Sequence, residues 1–406
     1  MDEKKVGILN FHFAQNGYGA VMEGYSLTKI LKKLGYSAHI INFVPPDIST
    51  EPSVFEDFRK KYLTLTGICR SWNEIKQTND QFQTFLVGSD QIWRWHYDFI
   101  YTLGWVRGCK NFIAYAASFG TPDVNWSERN RRTFRNCIER FDSVSIREKS
   151  GVKICRERFG IEAERTLDPT LLLESEDYAE LTDCGQKVNS GKEYVAYMVL
   201  DDREYKSLQE SNVIADIKAK YPLIDACIDE HGNYRPFGDW LRIIKDAKYV
   251  ISSSFHGCVF SIIFKKQFVA VETEARGNER IKTLFELLDL SERFYRDSSD
   301  VSLTSFEEKI DYDLLNVKLN AEKSKSLQFL AEALAKKPTP KKDITCPVNF
   351  GRILGLRFLE VRTPTQTYLS LFGVFPLIWL KFGWPLSKVK ACLFGIIPLF
   401  SKKNTY

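Results

Sequence analysis

The sequence predicts an α/β protein built from two parallel-sheet domains, and three observations carry that expectation. Residues 6–43 open with a strand, a glycine turn, an amphipathic helix and a second strand, the start of a doubly wound sheet. The same alternation resumes after residue 193. The chain has 406 residues, long for one domain and suited to two. With 44% hydrophobic and 27% charged residues, the composition is that of a globular protein with a sizeable core and excludes a disordered or collagen-like chain. The aromatic share of 14% is high, which suits a large core with some sugar-facing surface.

Each element follows from its own pattern. Residues 6–13 (VGILNFHF) are an apolar strand. The turn Gln15-Asn16-Gly17-Tyr18-Gly19-Ala20 follows, and its glycines allow a ligand close to the backbone, although the spacing is not G-x-G-x-x-G and does not mark a nucleotide. Val21, Tyr25, Leu27, Ile30 and Leu31 repeat at helical spacing, Gly35 ends that helix, and residues 37–43 form the second strand. Residues 54–82 read as a helical, aromatic flap. A short strand at 85–87 runs into Gly88-Ser89-Asp90-Gln91-Ile92-Trp93, and another strand spans 111–119. A helix over 127–141 has Ser127 as its N-cap. Residues 143–146 are a strand feeding the helix start Arg147-Glu148-Lys149-Ser150, and Thr166-Leu167-Asp168-Pro169-Thr170 closes the first domain, placed at residues 1–185.

The polar stretch 181–192 is the linker. Beyond it come a strand (194–200), a helix (204–220), a strand (223–228) and a helix (237–245). Then a strand, turn, helix and strand over 249–271 are followed by a helix over 279–288. A long helical stretch, 306–337, is expected to cross back to the first domain, so the second domain is set at 193–340. The turn inside 249–271 reads Ser252-Ser253-Ser254-Phe255-His256-Gly257. It lies beyond the carboxyl end of a strand and at the amino end of a helix, where backbone N–H groups and the helix dipole favour an anion. His256 in that turn is suited to hydrogen-bonding an anion or moving a proton near neutral pH.

Residues 341–406 differ from the rest. They contain ten basic and two acidic residues, which leaves residues 1–340 net negative although the chain as a whole carries +5. Their apolar runs are broken by Gly373 and Pro376 and fall short of the ~20 residues a spanning helix needs. Basic residues between aromatic-rich segments predict an amphipathic, helical extension that lies on an anionic inner membrane surface or packs on the protein. The nine cysteines form no C-x-x-C pair, which argues against a zinc site or disulfide framework and for a reducing compartment. Residues 1–11 enter a strand without a signal-peptide pattern. The expectation is a cytoplasmic protein, peripheral on the inner face of the membrane, with no nucleic-acid partner, no metal and no cofactor.

Four separated stretches, FHFAQNGYGAVMEGYSL (11–27), GSDQIW (88–93), SIREKS with LDPT (145–150 and 167–170) and SFHGCVFSIIF (254–264), together with Asn278-Glu279-Arg280-Ile281, resemble the polysaccharide pyruvyl transferase family in order and content. The resemblance spans roughly residues 4–290. It implies a two-domain arrangement of the glycosyltransferase GT-B type, with Rossmann-like domains facing a cleft. It also implies an enzyme that transfers pyruvate from phosphoenolpyruvate to two hydroxyls of an exopolysaccharide, capsule or cell-wall glycan precursor, lipid-linked or soluble, as a cyclic ketal. Departures from the family pattern are Gly17 in the first turn, Met22-Glu23-Gly24 where Leu-Gln-Ala is common, and Ser254 where some relatives carry arginine.

On that reading His256 and Asp90 are the catalytic acid and base. Arg147, Arg280, Ser254 and Gly257 bind the anionic donor, since guanidinium pairs with carboxylate or phosphate in bidentate fashion. Asn16, Tyr18, Gly19 and Trp93 bind the acceptor, and Trp95 is a further stacking candidate. His12 faces either the cleft or the strand packing, Asp168 is expected mainly to fix its loop, and Cys258 has no partners for thiol chemistry. Two alternatives stand beside this reading. One is a nucleotide-sugar glycosyltransferase, with Glu272 and Glu274 at a strand end suited to a ribose. The other is a non-catalytic subunit of a glycan-synthesis complex.

Overall fold

The structure, a computed structural model, describes residues 4–45, 48–94, 100–188, 191–199, 212–273, 277–297 and 300–342, together with the backbone of six strands between residues 349 and 403. The first sheet has the strand order β2-β1-β3-β4-β5-β6, built from β1 (Lys5–Leu9), β2 (Ser37–Ile40), β3 (Thr84–Val87), β4 (Cys109–Ala117), β5 (Ser143–Ile146) and β6 (Glu164–Arg165), all parallel. The order reverses between β1 and β3, which places the topological switch point, where such sheets bind ligands, at the carboxyl ends of those two strands. The second sheet is also parallel, ordered β11-β10-β9-β7-β8, from β7 (Val195–Met198), β8 (Leu223–Asp225), β9 (Tyr249–Ser252), β10 (Gln267–Val271) and β11 (Phe294–Tyr295). Its strands are nearly continuous apolar runs, as covering on both faces requires.

Nine helices are used below: α1 (Tyr18–Lys33), α2 (Val54–Tyr62), α3 (Glu128–Ile138), α4 (Lys149–Ile154), α5 (Asn212–Lys220), α6 (Phe237–Asp246), α7 (Phe255–Ile263), α8 (Glu279–Leu287) and α9 (Tyr312–Ala335). The expected cap on α3 is present, with Ser127 Oγ accepting from the Asn130 N–H at 3.3 Å. One continuous core joins α1 of the first domain to α6 and α7 of the second. α9 crosses back: the Asn111 amide donates to the Ala333 carbonyl at 2.9 Å, Ser326 Oγ accepts from the Leu167 N–H at 2.9 Å, and Lys323 pairs with Glu174. The short strand β12 (Thr339–Pro340) then adds antiparallel to β4.

The expectation of a helical extension fails. The backbone after residue 348 runs as a six-stranded antiparallel meander, β13 (Asn349–Ile353), β14 (Leu356–Thr363), β15 (Gln366–Leu371), β16 (Phe375–Phe382), β17 (Lys388–Leu393) and β18 (Ile397–Lys403). The physical reason is the length of the uninterrupted runs. Glycines and prolines cut this region into segments of five to eight residues, which suits strands better than helices of ten or more. Among the described residues no helix is long and apolar enough to cross a membrane.

Tyr18 shows how the two domains are held. Its ring is 1% exposed and stacks on Trp240 at a centroid distance of 4.7 Å. Its hydroxyl donates to the Arg235 carbonyl at 2.6 Å and lies 3.1 Å from that of Cys227. Tyr18 borders the cleft described below, but its ring is taken up by packing: an amphipathic ring with a hydrogen-bonded tip is a strut between α1 and the second domain. Tyr18→Phe should lower unfolding stability by about 1 kcal/mol, the net worth of one hydrogen bond, in a urea melt. The Michaelis constant for acceptor should stay unchanged, and a tenfold rise would show an acceptor role.

Candidate active site

Six charged side chains meet where the carboxyl ends of the first sheet face the amino ends of α7 and α8. Gly88 begins the arrangement. Its φ is +118°, and a Cβ there would stand 2.1 Å from the Tyr115 carbonyl oxygen, so only glycine lets β3 turn so tightly against β4. Two residues on, Asp90 has φ +76°, a left-handed conformation that costs energy in a non-glycine residue and is characteristic of functional loops. Its carbonyl is pinned by the N–H groups of Ile92 (2.7 Å) and Ser118 (3.0 Å), which fixes the carboxylate in the cleft.

Arg147 leaves the end of β5 and is 4% exposed. One guanidinium nitrogen, Nη1, donates to Glu23 at 2.5 Å and also to Asp168, while Nη2 reaches Asp90 at 3.3 Å. Arg280, in the first turn of α8, lies 3.6 Å from the same Asp90 oxygen. Both guanidinium groups sit over the ring of Phe255, Arg147 at 4.8 Å and Arg280 at 5.6 Å from the centroid. Phe255 therefore spaces two cations that would otherwise repel, through cation–π attraction to each.

His256 enters from the first turn of α7. Its Nε2 lies 3.2 Å from Glu23 Oε1 and 3.7 Å from Asp168 Oδ2. Its Nδ1 edge faces Gly19: a Cβ on Gly19 would stand 1.8 Å from Nδ1. The glycine thus makes room for the imidazole ring itself, which packs directly on the backbone of α1. Asp168 is itself fixed by its neighbours, its Oδ1 accepting from the Thr170 N–H at 3.0 Å and hydroxyl at 2.5 Å.

The protonation states follow from burial set against charge. For His256, burial disfavours the cation, but hydrogen bonding and charge from Asp168 and Glu23 win, so its pKa rises to about 9. Glu23, fully buried and facing Asp90 and Asp168, is pushed well above the usual carboxyl range despite Arg147. For Asp168, burial is outweighed by His256 and Arg147, and it is held well below that range. Asp90 is likewise lowered, burial being overcome by Arg147, Arg280 and His256. Burial and then the charge of Arg147 bring Arg280 down to about 10. The cleft therefore sets three basic side chains, Arg147, Arg280 and a His256 that is protonated at neutral pH, among the carboxyls of Glu23, Asp90 and Asp168.

Several expectations change. Asp90, with a lowered pKa and two guanidinium neighbours, is a counter-ion that fixes the arginines rather than a ready base. Trp93 is corrected as an acceptor platform. It is 1% exposed, packs against Phe134 and donates to the Tyr101 carbonyl at 3.3 Å; the hydrophobic gain from a buried indole outweighs any use at the surface. Gly257 is corrected as a donor group, since a Cβ there would meet Ser252 Oγ at 2.1 Å, so its smallness serves the seating of α7 on β9. His12 is buried against Asn42, 3.0 Å from its side-chain oxygen, and burial drops its pKa to about 4, a packed strand-end residue. Glu272 accepts from Asn278 at 2.9 Å and pairs with Lys282. Trp95 and Glu274 lie outside the described residues.

Asn16, Gly19, Asp90, Ser254, His256 and Arg280 do line one cleft, of about 130 Å³, below the ~300 Å³ at which pockets for drug-sized ligands begin. Glu23 and Phe255 were missed by the sequence reading. A signal existed for Glu23: it is the one charged residue between Tyr18 and Thr28 on a helix whose neighbours are all buried. Glu23, Asp168 and His256 bring three ligand-type atoms within 4.8 Å, but Arg147 Nη1 is bonded to both carboxyls, so a guanidinium already fills the position a divalent cation would take.

Similar solved structures include Arabidopsis thaliana UGT89C1 (10% identity, covering 82% of this chain and 100% of that one, TM-score 0.48). The wall teichoic acid polymerase TagF is another (11% identity, 82% and 88% covered, TM-score 0.44). A third is the E. coli ADP-heptose lps heptosyltransferase II (9% identity, 78% and 99% covered, TM-score 0.38). The two Rossmann-like domains of GT-B type are carried by the strand orders described above. A search of curated proteins finds no match. The profile of the polysaccharide pyruvyl transferase family matches residues 18–274, more than half the chain and the whole span from the first turn of α1 past β10. That span contains Glu23, Asp90, Arg147, Asp168 and His256, and the chain belongs to the polysaccharide pyruvyl transferase family.

Proposed function

We propose that this transferase moves pyruvate from phosphoenolpyruvate to two hydroxyls of a glycan precursor, giving a cyclic ketal and phosphate. The observation that carries the reading is the pair of guanidinium groups on Phe255 beside a protonated His256, in a cleft sized for a small anion. Phosphoenolpyruvate presents a carboxylate and a phosphate, which two arginines and the amino end of α7 suit. Protonation of the methylene carbon, with His256 as acid, forms the new C–H bond and leaves cationic character on the adjacent carbon, which the Asp90 carboxylate would stabilise. One acceptor hydroxyl bonds to that carbon, the bond to the phosphate oxygen breaks, and the second hydroxyl closes the ketal. Of the two hydroxyl protons, one restores His256 and one leaves with phosphate.

Asn16, Gly19 and Ser254 border the cleft and are assigned to its acceptor and donor edges. The acceptor is lipid-linked or soluble. The ten basic residues after Pro340 favour an approach to an anionic membrane surface.

The test is turnover and thermal shift with the full chain. Phosphoenolpyruvate should raise the melting temperature, and phosphate release should require a glycan diol. Stabilisation by a nucleotide sugar and not by phosphoenolpyruvate would overturn the proposal.

A further inference from the structure

We infer that Glu23 is the positioning residue for the acid: its carboxyl, wedged between His256 and Arg147, keeps the imidazole aligned and favours its return to the protonated form after each turnover. This deepens the proposed function and rests on it for the catalytic part, though not for the state of the imidazole.

Three observations support it. Glu23 has no exposed surface, so its carboxyl serves no solvent-facing purpose. Oε1 reaches His256 Nε2 (3.2 Å) and Arg147 Nη1 (2.5 Å) at once, which ties the acid from the second domain to the guanidinium from the first. Oε2 is buried and has no hydrogen-bond partner among the described residues. The carboxyl is therefore held through Oε1, the oxygen shared by the imidazole and the guanidinium.

The groups facing His256 are Glu23 from α1, Asp168 from the loop after β6, Asp90 from the loop after β3, Arg147 at the end of β5 and Arg280 on α8. Asp168 is already committed to Arg147 and to Thr170. Glu23 is the member held through one oxygen, Oε1, between His256 and Arg147. When His256 has given its proton to the donor carbon, the Glu23 carboxyl beside it holds the ring in place until an acceptor hydroxyl returns one.

The chemistry of the side chain supplies a distinguishing substitution. A glutamine at this position would keep the shape and the contact with His256 while losing the negative charge that favours the imidazolium.

The experiment compares the full-length protein with Glu23→Gln and Glu23→Asp. The ring carbons of His256 are followed by NMR against pH, and their signal is assigned by its loss in His256→Gln. Phosphate release from phosphoenolpyruvate is measured over the same range. In Glu23→Gln the imidazole should titrate about one pH unit or more lower, and the alkaline limb of activity should move with it. Glu23→Asp should restore part of the shift. An imidazole that titrates alike in wild type and Glu23→Gln overturns the inference, even if both turn over phosphoenolpyruvate. If neither protein accepts phosphoenolpyruvate, the proposed function fails while the titration still decides the role of Glu23. Should Glu23→Gln not fold, Glu23→Asp decides instead: an imidazole that titrates lower than in wild type supports the inference, and one that titrates alike overturns it.

Discussion

Arg147→Ala is expected to destabilise the protein by about 3–5 kcal/mol and to abolish turnover, the largest effect of any single change in the cleft. Arg147 bonds Glu23 and Asp168 through Nη1 and Asp90 through Nη2. Removing it leaves three carboxyls facing one another in a largely buried site. The cost is mainly that of uncompensated buried charge, not the loss of an attractive pair. Two controls separate stability from chemistry. Lowering the pH should recover part of the lost stability, because protonating Asp90 and Asp168 relieves their repulsion. Arg147→Lys should fold better than the alanine variant yet remain weak in donor binding, since an ammonium cannot bridge three carboxyls with a planar fork. An Arg147→Ala protein with an unchanged melting temperature would show that the cluster is not coupled as described.

His256→Gln should reduce turnover by about 10²–10⁴-fold, the usual contribution of a general acid, and should also lower stability at neutral pH, where the imidazolium lies between Glu23 and Asp168. The wild-type pH profile carries the same information. With a folded-state pKa of about 9 against 6.5 for an ordinary histidine, His256 is protonated through the neutral range. Activity should therefore hold near pH 7 and fall as pH rises through about 9. Stability moves with the same sign: the folded state binds the proton more tightly, so its contribution is complete below pH 6.5 and is lost as pH rises through about 9. A rate profile flat to about pH 10 would exclude His256 as the acid.

Most of the fold was legible because its signals are local. Apolar runs of four or five residues bounded by glycine, serine or proline gave the parallel strands, and Ser127 marked its helix. The crossing of α9 to the first domain was legible from length and position. The tail was misread because charge and aromatic content do not distinguish a helix from a series of short strands; the spacing of Gly355, Gly373, Gly383 and Gly395 was the better guide.

In the site, motif positions identified His256, Arg147, Arg280 and Asp90, which the fold brings together from two strand ends and two helix starts. Partners were harder to foresee. Glu23 is eight residues before Leu31 in an otherwise ordinary helix, and nothing in sequence places it beside His256. Phe255 reads as core until two guanidinium groups are seen on its ring. Trp93 was misassigned, and the packing of Tyr18 unforeseen, for the converse reason. An aromatic residue near a glycine turn has the composition of a sugar platform, and only burial shows that the ring faces inward.

The return of α9 has a mechanical consequence. The second sheet is attached to the first domain at two places, the segment leading into β7 and the segment leaving β11 for α9, so it is an insertion held at both ends rather than a lobe on a single tether. Any change in the angle between the two sheets would have to strain both crossings and the core shared by α1, α6 and α7 at once. His256 and Arg280 are thereby kept opposite Arg147 and Asp90 by the path of the chain as well as by their own ion pairs.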